Sequence, residues 1–76
     1  MSADADNALL LEALQLEREA VRRYVAHGAA TSDPRLVSYW ESLRRNESEH
    51  RELLLTTLRE RGVQSPPEDP HEGGGA

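Results

Sequence analysis

Two carboxylates and an imidazole, Glu17, Glu47 and His50, stand where this chain would otherwise carry apolar side chains. One inward seam reads Leu10, Leu14, Glu17, Val21, Tyr24, Gly28 in alternating steps of four and three. A second reads Leu36, Trp40, Leu43, Glu47, His50, Leu54, Thr57 in the same rhythm. Acids and an imidazole at heptad core positions are costly to bury unless a cation satisfies them. Glu47 and His50 are three residues apart, so on a helix both reach one point beside it. A Glu from one helix and Glu-x-x-His from the next make half of a two-metal carboxylate ligand set, which a second copy of the chain would complete.

Charge bookkeeping agrees. Two chains bring Glu17 and Glu47 twice, four negative charges that balance two divalent ions, and two neutral His50 rings supply nitrogen. Such an oxygen-and-imidazole shell suits iron, manganese or zinc. Glu12, Glu19, Glu41, Glu49, Glu52 and Glu60 fall off the seams, where solvation explains them. The competing interpretation is that Glu-x-x-His recurs by chance in charged helices, and that these three side chains merely form salt bridges.

The elements that must position the triplet are two helices. Asp6 or Asn7 is the expected cap of a first helix over about 7–30, after a flexible lead over 1–6. Asp33 and Pro34 open a second helix over about 34–61, with Arg59 and Arg61 in its last turn and Gly62 just beyond. Residues 63–76, rich in Pro and Gly, are expected to be a disordered tail. The fold class predicted is all-α, an antiparallel helical hairpin. Leu9, Ala13, Leu16 and Ala20 make a row beside the first seam, and Leu53 and Leu58 lie beside the second. Apolar faces this wide exceed what one hairpin can bury, so dimerisation into a four-helix bundle is expected.

Composition narrows the function. The 76 residues contain no Cys, which excludes thiolate metal sites and disulfides, and carry a net charge of −5, against a nucleic-acid partner. No basic leader or long apolar run is visible, so neither a signal peptide nor a membrane span is expected and a cytoplasmic setting follows by default. Trp40 is expected to anchor helix packing, while His27 and His71 lie off the seams.

At these residues the chain resembles the ferritin and rubrerythrin superfamily, and most closely the encapsulated ferritins, half-length proteins whose active bundle forms from two subunits. The resemblance spans Leu10 to about Arg61. It rests on Glu17, Tyr24 seven residues later, the turn Thr31-Ser32-Asp33-Pro34, and Glu47-x-x-His50 thirty residues after Glu17. It implies that Glu17, Glu47 and His50 are the iron ligands of a ferroxidase centre formed between subunits, with Tyr24 beside it. It also implies a homodimer or higher annular oligomer and an encapsulin shell as partner. The chain departs from the family at Arg23, where Trp is common, and at Leu16, where a carboxylate is. Its tail lacks an apolar encapsulation peptide. The function expected is oxidation of Fe(II) for iron storage or detoxification. The alternatives are a rubrerythrin-like peroxide scavenger and a non-enzymatic helical oligomerisation or metal-binding module.

Overall fold

Two helices account for most of residues 3–68, which the computed structural model describes: α1 is Ala3–Ala30 and α2 is Pro34–Glu60. No strand occurs among the described residues. The helices run antiparallel as a hairpin, with Asn7 near the start of α1 bonded to Arg61 at the end of α2.

The start of α1 differs from expectation. The helix begins at Ala3, not near Ala8, because Ala is the strongest helix former and Asp4 and Asp6 in the first turn complement its positive end. Asn7 therefore does not act as a cap. Its Oδ1 accepts from Arg61 Nε at 2.6 Å and ties the two helix ends together. The turn follows the sequence signals closely. Asp33 caps α2, its Oδ1 accepting from the Arg35 backbone N–H at 2.9 Å, and Pro34 takes the first helical position. Trp40 Nε1 donates to Thr31 Oγ1 at 2.9 Å, and that hydroxyl donates to the His27 carbonyl at 2.6 Å. The loop is thus pinned to both helices.

At the other end, Val63 N–H donates to the Leu58 carbonyl at 2.9 Å and Gly62 N–H to the Arg59 carbonyl at 3.0 Å. This is the double bond pattern of a Schellman cap, and Gly62 supplies the positive φ of 72° that it requires. The cap reverses the chain. Residues 63–68, expected to be disordered, instead run back along the hairpin: Arg18 Nη1 donates to the Pro66 carbonyl at 2.9 Å, and Arg51 Nη1 lies 3.6 Å from Glu68 Oε1. Residues 69–76, including His71, lie outside the described residues.

The core is small. Leu14, Val21 and Leu58 are its buried apolar side chains, while Leu9, Leu16, Tyr39 and Leu53 each keep more than half of their surface exposed. Successive helical residues point about 100° apart, so Leu16 and Arg18 fall on opposite sides of Glu17. The hairpin consequently has two unlike flanks. One presents Leu9 and Leu16 from α1 with His50 and Leu53 from α2. The other carries residues 63–68, whose Pro66 and Pro67 line an open pocket of about 500 Å³ with Leu11, Leu14 and Arg18. No helix among the described residues is long and apolar enough to cross a membrane.

Candidate metal centre

Mid-hairpin, α1 brings Glu17 to face Glu47 and His50 of α2. Ligand atoms of the three lie within 4.8 Å of one another, and they form the one group of three or more potential metal ligands among the described residues. His50 Nδ1 is 3.7 Å from Glu47 Oε2 and 3.8 Å from Glu17 Oε2. Both separations exceed hydrogen-bonding range. They do suit a shared metal, because two ligand atoms each about 2.1 Å from one ion sit roughly 3–4.2 Å apart.

Electrostatics favours the same conclusion. Glu17 Oε2 is buried and has no hydrogen-bond partner among the described residues, an unsatisfied acceptor. The pKa of Glu17 is raised from its ordinary 4.5, first by the hydrogen bond its carboxyl makes with Glu47, then by desolvation and by the like charge of Glu47. His50 pulls it the other way. A carboxyl that holds its proton more tightly than usual because another carboxyl faces it can exchange that proton for a metal ion. The donor set therefore fits a divalent ion. His50 keeps 59% of its side chain exposed whereas Glu17 and Glu47 keep 23% and 22%, so the cluster opens to solvent on its His50 side.

Tyr24 sits elsewhere on the seam. Seven residues from Glu17 it lies about 10 Å further along the axis, and its ring stacks on Trp40 with centroids 6.1 Å apart. His27 and Tyr39 meet the same indole edge-on at 4.8 and 5.6 Å. Trp40 thus anchors an aromatic cluster at the turn end, as its seam position suggested.

Arg18 and Arg51 were not anticipated from sequence. Arg18 is 92% buried by the 8% exposure it retains, and the Nε atoms of both Arg18 and Arg51 are buried without a partner. A signal was available: Arg18 stands four residues after Leu14 and three before Val21, a cation on the edge of an apolar stripe. Comparison with known proteins finds no matching family model, no matching curated protein and no matching solved structure.

Proposed function

We propose that two hairpins pair through the flank bearing Leu9, Leu16, His50 and Leu53, and that the resulting bundle binds Fe(II) as substrate and oxidises it to Fe(III). The observation that carries this reading is the convergence of Glu17, Glu47 and His50 to within 4.8 Å, with Glu17 Oε2 buried and unsatisfied. The exposed leucines beside the cluster supply the apolar area that a second copy would cover. In this reading the chain resembles an encapsulated ferritin in its working unit.

The residues have distinct roles. Glu17 and Glu47 hold the ions; their oxygen donors stabilise Fe(III) more than Fe(II), because the higher charge strengthens each interaction in a partly dry site. His50 is a terminal nitrogen donor. Two ferrous ions deliver two electrons to one dioxygen, which takes up two protons and leaves as hydrogen peroxide; with peroxide as oxidant the same two electrons give two waters. Tyr24, two turns away against Trp40, is not one of the centre's ligands.

Fe(II) titration tests the proposal. Aerobic addition should produce ferric absorbance faster than autoxidation in buffer and saturate at about one iron per chain, since each chain brings one ligand set. Glu17→Ala, Glu47→Ala and His50→Ala should each lose the acceleration while far-UV circular dichroism keeps its helical signal. A wild type that oxidises iron no faster than buffer, with either oxidant, sinks the enzymatic reading. One rival has its own support: His50 lies within 4.0 Å of both carboxylates, so a protonated imidazole would make a salt-bridged, non-enzymatic interaction module. Metal analysis of the purified protein separates the two.

A further inference from the structure

The strap formed by residues 63–68 bears on the same site, through Arg51. Glu47 precedes Arg51 by four residues on α2, the spacing and order in which an acid and a base pair across one helical turn. They do not pair here. Among the described residues Arg51 lies within 4.0 Å of Glu68, at 3.6 Å, and of Glu52, at 3.9 Å, but not of Glu47. Arg51 is enclosed, with 19% of its side chain exposed and a buried, unpartnered Nε, so its guanidinium has a strong need for an acceptor. Glu52 keeps 68% of its side chain in water and exerts little pull. Two carboxylates are therefore rivals for this cation: Glu47 in the site and Glu68 on the strap.

We propose that Glu68 is the counter-ion that holds Arg51 away from Glu47, so that the strap keeps a metal-binding carboxylate available. The inference rests on the reading of Glu17, Glu47 and His50 as metal ligands and adds a positioning residue to it. Placement of Glu68 is not accidental to the local structure. The Gly62 cap reverses the chain, and the Arg18 bond to the Pro66 carbonyl at 2.9 Å fixes the strap two residues before Glu68. Released from Glu68, Arg51 has Glu47 one turn away as its next acceptor. A guanidinium on Glu47 engages the oxygens an ion would use and adds a positive charge beside a site that must take a dication. The strap and the metal are thereby linked: whatever lifts the strap weakens the site.

Mn(II) binding to the full chain, measured by calorimetry at fixed pH and salt, tests this without redox chemistry. Glu68→Gln should weaken Mn(II) affinity roughly fivefold, the scale of a partly enclosed ion pair, and Arg51→Gln added to it should restore the wild-type value. Arg51→Met, which keeps the apolar stem, replaces Arg51→Gln if the latter loosens the hairpin. In metal-free Glu68→Gln protein, side-chain NMR should find the Arg51 guanidinium against Glu47. Unchanged affinity in Glu68→Gln, or a weakened affinity that neither Arg51 variant restores, overturns the role of the strap while leaving the metal site standing. A wild type that takes up no Mn(II) or Fe(II) overturns the metal reading, and this inference with it.

Discussion

On each helix an ionic side chain of the open flank is followed directly by one of the strapped flank: Glu17 by Arg18, and His50 by Arg51. The two flanks treat buried charge in opposite ways. On the strapped flank the chain supplies its own acceptors, the Pro66 carbonyl for Arg18 and the Glu68 carboxylate for Arg51. On the open flank Glu17 and Glu47 face each other and His50 sits beyond hydrogen-bonding distance from both. Among the described residues, no hydrogen-bond partner reaches Glu17 Oε2. The proposed metal site and the proposed pairing of two copies both rest on this contrast between a covered ionic group and an open one beside exposed leucines.

The largest expected effect strikes what both flanks share. Leu58→Ala empties a site with 0% exposure in a core whose buried apolar side chains, among the described residues, are Leu14, Val21 and Leu58, so it should cost about 2–5 kcal/mol, enough to unfold much of so small a hairpin. Thermal and urea unfolding of dilute protein measure it, and a loss below that of an ordinary surface change would show that the core lies elsewhere. Next comes a change confined to the open flank. Leu16→Asp with Leu53→Asp should weaken self-association at least roughly tenfold by sedimentation equilibrium, as loss of central apolar anchors does, without lowering helicity. The counterpart on the strapped flank, Pro67→Ser, should leave association as it was. If both flanks respond alike, the contrast between them fails.

How much of this the sequence revealed depended on the range of the forces involved. Asp33-Pro34 and Gly62 were legible because caps and turns are set by neighbouring residues. That Glu17, Glu47 and His50 come together was legible because helical periodicity puts each on the inward seam of its own helix. The start of α1 was misread because Asn7 looks like a cap locally, whereas its side chain is used 54 residues away, on Arg61. The strap was misread for a related reason. Its Pro-rich composition has little to bury, and its attachment depends on Arg18 and Arg51, cations whose enclosure no local pattern announces. Tyr24 was placed on the right seam, but its ring contact with Trp40 crosses between helices and is not visible in the spacing of either.

The smallest effect expected concerns protons, and it asks whether the open flank is incomplete in the way proposed. Glu17 has its pKa raised above 4.5 in the folded chain, chiefly through the hydrogen bond to Glu47. A raised carboxyl pKa means that the folded state binds the proton more tightly than the unfolded state does. The associated stabilisation is therefore complete below pH 4.5 and is lost as pH rises through the folded value. Asp33 and Glu41, whose pKa values are lowered by Arg35 and Arg44, act with the opposite sign, adding stability that fades as pH falls. They are common to wild type and Glu17→Gln, so they cancel in the difference between the two. Metal-free Glu17→Gln should accordingly match wild type most closely in acid and gain on it towards neutral pH, because the amide keeps the hydrogen bond to Glu47 and carries no charge. Saturating Mn(II) should reverse the order at neutral pH, since the ion takes the place of the proton in wild type and finds a weaker donor in the variant. Urea unfolding at a series of pH values, with and without Mn(II), measures both halves. A pH-independent difference would show that Glu17 is held by packing alone; a difference that Mn(II) does not reverse would show that its carboxylate is no ligand.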